Sequence, residues 1–357
     1  MRRLRRVAAI TLALLVLSAG VLFFVYPGPV YWVDIWWGRM IDYRVYDPTR
    51  NWYPYTVGLD WSADGKTLAS ASYHPDVLLW DPMTGALQDR LQGHDRWLEM
   101  VEYSPDGSLL VSGDWHNTLI VWDVASGTAR HTVSVPRADE MIGFSFHPSQ
   151  PRLAVAAFVS EKVAVIDLDS GAIARVFDSP GPMDVAYSPD AKVLVAAGEG
   201  QPSVMLYDAA TDAKIGALSG HTEMTVALDF FADGSRLLSC GDDATVRLWD
   251  FNNRTLLKTW KSDEWWVNFC SLVPGDRRFL ASDPAGVVSL YDIEADEPLK
   301  RWPLHDDWAT CVRPSRDGRY FASSGKDGKI QVYDMNEDRL VTTIDVSQAI
   351  EAPPGDG

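Results

Sequence analysis

The stretch GHTEMTVALDFFADGSRLLSCGDDATVRLWD, residues 220–250, holds three short β-type runs and no helical spacing. Val226-Ala227-Leu228-Asp229-Phe230 leads into a tight-turn signal at Asp233-Gly234. Leu237-Leu238-Ser239-Cys240 and Val246-Arg247-Leu248-Trp249 follow, and Asp250 closes the last of them. A more polar run, Thr255 to Trp260, comes next. Four short strands in about 42 residues make a small antiparallel sheet.

The unit repeats on both sides of this stretch. An aromatic residue or Ile followed by Asp closes an apolar run at Trp80-Asp81, Trp122-Asp123, Ile166-Asp167, Tyr207-Asp208, Trp249-Asp250, Tyr291-Asp292 and Tyr333-Asp334, at intervals of 42, 44, 41, 42, 42 and 42 residues. Turn signals run in phase with it: Asp64-Gly65, Asp106-Gly107, Asp190-Ala191, Asp233-Gly234 and Asp317-Gly318, with Ser149-Gln150 and Gly275-Asp276 in the two other slots. One such sheet cannot bury both its faces. Seven stacked around an axis can, and they also protect their edges. The expectation is all-β: a seven-bladed propeller of four-stranded antiparallel blades over residues 55–346. Arg339 to Val346 can supply the last blade's fourth strand, and so can Tyr43-Arg44-Val45-Tyr46; both closures stay open.

Gly220-His221, Ser239, Asp243 and Trp249-Asp250 give this unit the pattern of the WD-repeat family, which the seven units together resemble. The resemblance implies that His221, Ser239, Asp243 and Trp249 form a bracing hydrogen-bond network. His305, Ser323, Asp327 and Tyr333 fit the same pattern in unit 7, with Tyr in place of Trp. Unit 2 keeps His94, Ser112 and Trp122, but His116 stands where the Asp is expected. Units 1, 3, 4 and 6 lack most of the network.

Ahead of the repeats, Arg2, Arg3, Arg5 and Arg6 precede Val7 to Tyr26, twenty residues without a charge. A helix of that length spans roughly 30 Å, the thickness of a bilayer's hydrocarbon core. Residues 1–26 therefore read as a basic tip and a transmembrane signal anchor. The arginines hold the N-terminus in the cytoplasm and place the propeller on the periplasmic or extracytoplasmic side. A cleaved signal peptide ending at Ser18-Ala19-Gly20 is the rival, but it leaves an apolar new N-terminus at Val21. Residues 27–54 are an aromatic-rich juxtamembrane linker. Its segment Tyr31 to Trp37 suits either a short interfacial helix or packing beneath the propeller. The polar, Pro/Gly-rich end, 347–357, is expected to be disordered.

Beyond the four arginines the chain carries 28 Lys and Arg against 49 Asp and Glu, which argues against nucleic acid as a partner. Cys240, Cys270 and Cys311 lie in apolar strands and read as core. There is no nucleophile elbow, no phosphate loop ending in Gly-Lys-Ser/Thr, no His-Glu-x-x-His and no Cys-x-x-Cys. Asp167-Leu168-Asp169-Ser170-Gly171 reads as a turn rather than a calcium loop. His74 and His116, each six residues before a repeat Trp, invite a metal reading with Asp76 or Asp114, but fall short of a full ligand set. His131 and His147 show no partner. The sequence shows no cluster of titratable residues that breaks the repeat, and it names no catalytic residue, metal or cofactor.

Nine residues before the turn slot, where each innermost strand begins, stand Tyr55, Trp97, Trp266 and Trp308, in units 1, 2, 6 and 7; Met141 and Met224 fill the slot in units 3 and 5. Asp95, Asp263, Glu264, Asp306 and Asp307 precede the rings. Units 6, 7, 1 and 2 are contiguous once the circle closes. Rigid aromatics rimmed by carboxylates suit a protein or peptide partner carrying basic side chains. The expected function is a non-catalytic, membrane-anchored scaffold. The alternatives are a propeller oxidoreductase or hydrolase, or a small-ligand sensor, with its site in the channel.

Overall fold

The computed structural model describes residues 21–24, 31–36, 39–40, 56–116, 118–135, 141–201 and 203–350. The chain divides into two units, Met1–Trp52 and Tyr53–Gly357. In the first, Val21–Phe24, Tyr31–Trp36 and Arg39–Met40 form a three-stranded antiparallel sheet, with Phe24 opposite Tyr31 and Trp36 opposite Arg39. This corrects the expectation of a helix running through Val21–Phe24 and of an interfacial helix at Tyr31 to Trp37. Both segments are rich in β-branched and aromatic residues, which fit a pleated ladder. Among the described residues no helix is long and apolar enough to cross a membrane, and residues 7–20 of the expected span lie outside them.

The second unit is seven four-stranded antiparallel sheets, each built from strands consecutive in sequence. Blades 1 to 7 begin with the inner strands Thr56–Trp61, Leu98–Tyr103, Met141–Phe146, Pro182–Tyr187, Thr225–Phe230, Phe269–Val273 and Ala309–Pro314. Each inner strand packs beside the next, and the seventh packs beside the first, so the ring is closed. Blade 7 takes Arg339–Asp345 as its fourth strand, which decides between the two closures. Tyr43 to Tyr46 lie outside the described residues.

Turn chemistry sets the register. Ser62 Oγ donates to Asp64 Oδ1 and accepts the Thr67 N–H, while Gly65 takes a φ of 70°. The same device recurs with Ser104 and Asp106, and with Ser315 and Asp317. Blade 3 has no Asp there; His147 Nδ1 accepts the N–H groups of Ser149 and Gln150, and its ring meets Tyr187 edge-on at 4.9 Å. The Asp of each Trp-Asp pair organises the following turn, as Asp250 does by accepting the Asn253 N–H. Asp167 does likewise with Ser170, so 167–171 is indeed a turn.

Seven apolar clusters, each astride one blade junction, make up the core among the described residues. Cys240, Cys270 and Cys311 are unpaired and buried in it, and burial pushes all three thiols up. At the junction of blades 7 and 1, Trp61 Nε1 donates to the Arg313 carbonyl at 3.0 Å, and Thr310 Oγ1 donates to the Thr56 carbonyl at 2.6 Å. After the last strand, Ser347–Ile350 turn as a short helix whose Ala349 packs into this junction. Residues 347–350 of the expected disordered tail thus pack on the ring, because Val346 and Ala349 are small apolar groups with a core to fill; 351–357 lie outside the described residues.

Candidate functional site

The bracing residues show how a blade holds its own end rigid. In blade 5, His221 Nδ1 lies 3.0 Å from both oxygens of Asp243, and Nε2 lies 2.8 Å from Ser239 Oγ, which also accepts Trp249 Nε1–H at 2.8 Å. A carboxylate only accepts, so Nδ1 carries the proton and the Ser239 hydroxyl donates to Nε2. Burial opposes the Asp243 charge, but hydrogen bonds from His221, Thr245 and Thr222 hold its carboxyl well below the usual range. His305, Ser323 and Asp327 repeat this in blade 7. Tyr333 does not join them: its hydroxyl reaches past Ser323 and donates to Asp338 at 3.1 Å.

Blade 2 completes the network in another way. His94 contacts Ser112 at 2.7 Å and Asp114 at 3.3 Å, and Trp122 donates to Ser112. Asp114, two residues before the expected position, serves where His116 was placed; His116 is exposed. Among the described residues, blade 1 keeps the Trp80 to Ser70 bond alone of this set. His74 is buried, which pushes its imidazole down, and its Nδ1 accepts the Asp76 N–H. Among the described residues no three His, Cys, Asp or Glu are grouped to hold a metal ion. His131 is not without a partner, since its Nε2 lies 3.0 Å from the Asp169 carbonyl oxygen.

The residues that open the inner strands occupy matching places at one end of the ring. Their carbonyls accept a backbone N–H from the loop after the second strand: Trp97 from Trp115, Met224 from Asp242, Trp308 from Lys326. Trp97, Trp266 and Trp308 are all half-buried, and Tyr55 lies outside the described residues. Met141 sits one position further on than expected, paired with Ala157 and fully buried. Two aromatic groups result. Trp97 stacks on Tyr73 at 5.0 Å and meets Trp115 edge-on at 6.3 Å. Trp266 packs edge-on against Trp308 at 5.2 Å, beside Trp265, which is 81% exposed. Tyr73, Trp115 and Trp265 escaped the sequence count because each lies off the repeated position.

The acidic rim is partly neutralised from within. Asp263 pairs with Arg301 at 2.7 Å and Asp306 with Lys329 at 2.8 Å, while Lys326 Nζ lies 4.1 Å from the centre of the Trp308 ring. Asp307 accepts the Trp308 N–H, and Asp95 is exposed. Glu264 is half-buried, its N–H donated to Ser262. With local cations already on two acids and one ring, the surface makes no strong demand for a basic partner.

The channel corrects the sequence reading more sharply. Charged groups do converge there: Asp60, Glu102, Asp229 and Arg313 occupy one level of the inner strands, with Asp184 close by. Asp60 Oδ2 accepts the Tyr103 N–H of the next blade at 2.7 Å; Asp184 accepts that of Leu228 and Asp229 that of Leu272, each at 2.8 Å. Ser145 accepts the Tyr187 N–H likewise. These bonds tie blades 1 to 2, 3 to 4, 4 to 5 and 5 to 6. Reading across the repeats at the fifth residue after the Trp slot would have found all but Asp184.

Three segments, 85–123, 213–250 and 296–334, match the family described as WD domain, G-beta repeat. They end in blades 2, 5 and 7, the three with a His-Ser bracing pair. The chain is 34% identical over 103 residues to the target of rapamycin complex subunit wat1 of Schizosaccharomyces pombe, covering 28% of this chain and 31% of that protein. It is 28% identical over 151 residues to pre-mRNA-processing factor 19 homolog 2 of Arabidopsis thaliana, covering 41% and 26%. A match to transcription factor unc-37 of Caenorhabditis elegans is 38% identical over 78 residues, covering 22% and 12%. The chain thus spans less than a third of each of these relatives.

Proposed function

We propose that this chain, a WD-repeat β-propeller, is a non-catalytic scaffold that binds partner proteins through the ring face carrying Trp97, Trp265, Trp266 and Trp308. The observation that supports this most is Trp265. An indole left 81% in water beside a packed pair of tryptophans has no role in folding that its burial would explain. Large, rigid side chains of this kind dominate binding energies, because they bury much area and lose little entropy. The partner is a protein or an extended peptide with apolar side chains for the two aromatic groups. The arginines at 2, 3, 5 and 6 and the uncharged residues 7–20 that follow them support a membrane anchor with the propeller on the extracytoplasmic side.

The channel carboxylates favour the catalytic alternative to the extent that titratable groups meet in one cavity. Three of the four, however, already accept a backbone N–H from the neighbouring blade. That use is architectural, and the scaffold reading accounts for it. A photo-crosslinking residue at position 265, compared with one at position 233 in the turns at the other end of the ring, tests the proposal in the full chain in its own membrane. The expected result is a discrete adduct from 265 that is lost on Trp308→Ala. An adduct from 233 alone would move the binding face to the turns.

A further inference from the structure

Glu102 is the exception among the channel groups. It faces Val111 across its sheet as Asp60 faces Ala69 and Asp229 faces Leu238, so the three share one strand position. Asp60 and Asp229 use that position to reach the next blade. The Glu102 carboxyl makes no hydrogen bond among the described residues. The charges acting on it are Arg313 and Arg316 on one side and Asp60 and Asp184 on the other. Neither arginine is committed to it. Arg313 lies over the Phe269 ring at 4.6 Å, with its Nε enclosed and unbonded. Arg316 donates to the carbonyls of Pro105 and Ser104, crossing from the turn of blade 7 to that of blade 2. Asp184 feels Arg313 and Asp229. Four carboxylates thus share two cations, and one carboxylate is left without any donor.

We propose that the turn end of the channel, where four carboxylates crowd around Arg313 and Arg316, is a proton-binding site, in which Glu102 and Asp184 hold hydrogen ions on the folded ring and loosen blades 1, 2 and 4 when they lose them. Partial burial in a channel shared by four carboxylates disfavours the charged form of each, most at Glu102, which takes no hydrogen bond among the described residues, and at Asp184 despite its bonds from Leu228 and Val185. Burial pushes Glu102 up to about 8 and Asp184 up to about 7. Burial also raises Asp60 and Asp229, whose backbone hydrogen bonds and Arg313 pull the other way. A carboxyl raised on folding stabilises the ring fully below its ordinary value of 4.5 or 3.8. That stabilisation drains as pH rises and is gone once the folded values near 7 and 8 are passed. Alkaline solution therefore weakens this ring at its axis while its surface charges stay as they were.

The test uses the full chain, Glu102→Gln and Asp184→Asn. The wild-type unfolding temperature should fall between pH 5.5 and pH 9, and each amide variant should remove part of that fall. Parallel curves for all three proteins would overturn the proposal. Should a variant not fold, unfolding of the wild type in weakly buffered solution at pH 7.5 decides it. The ring should release about one proton, since unfolded carboxyls hold none at that pH. No release, or uptake, would refute the site.

Discussion

Replacing Asp243 by Ala is the sharpest test of the bracing network. The carboxylate accepts from His221 Nδ1 at 3.0 Å, Thr245 Oγ1 at 2.6 Å, the N–H groups of Thr222 and Thr245 at 3.1 Å each, and Arg247 at 3.2 Å. Thr222 is exposed and regains water when the carboxylate goes. His221 and Thr245 are buried and do not. Each stranded buried polar group costs about 1–3 kcal/mol. With two such groups and partial relaxation the ring should lose about 3 kcal/mol, read by urea unfolding at pH 7. Asp327→Ala in blade 7 strands His305 alone among buried side chains and should cost about 2 kcal/mol. The pH dependence gives a second handle. A carboxyl held below its ordinary value of 3.8 contributes stability above that pH and loses it as pH falls towards its lower folded value. The gap between wild type and Asp243→Ala should therefore be constant above about pH 5 and narrow in acid. A loss below about 1 kcal/mol, or a gap unchanged in acid, would refute the bracing role.

Three further outcomes are expected. Trp265→Ala or Trp308→Ala should weaken partner binding by about 2 kcal/mol in a titration with the crosslinked partner, with the unfolding temperature nearly unchanged; unaltered affinity would clear this face of a role. The chain should stay with membranes through high-salt and alkaline washes and begin near Met1, whereas a soluble chain starting at Val21 would show cleavage. Ala191 holds a φ of 61° in the turn slot where four other blades have Gly, so Ala191→Gly should stabilise blade 4 by roughly 0.5–1 kcal/mol in urea unfolding. A loss there would mean that the turn carries no strain.

The blade number and strand order were legible because one period, about 42 residues, fixes turn, strand and Trp-Asp positions together. The blade 5 network could be read residue by residue. Blade 2 could not, since Asp114 reaches His94 from the second strand and no repeat position marks it. Tyr333 failed for a geometric reason: a phenol places its oxygen further out than an indole places its N–H, so it finds Asp338 instead of Ser323. The channel charges were missed because each looks ordinary within its own strand. Only the circle makes neighbours of Asp60, Glu102 and Arg313. At the N-terminus, an uncharged run such as Val21-Leu22-Phe23-Phe24 suits a spanning helix and a strand equally, and hydropathy cannot choose between them.

Every blade here is complete within its own stretch of chain, and blade 7 takes its outer strand from Arg339–Asp345 rather than from the other end of the protein. No strand exchange therefore latches the circle among the described residues. The seam between blades 7 and 1 holds through Trp61, Thr310 and the packing around Ala349, and Arg316 reaches over it from blade 7 to the turn of blade 2. Like the other six it is an apolar junction between adjacent blades, but it has no peptide bond across it. Cutting the chain between any two blades and joining the old ends near Thr56 and Ile350 by a linker should give a permuted ring of nearly the same stability. Pulled from its two ends, the native ring should part first at that seam and then peel one whole blade at a time.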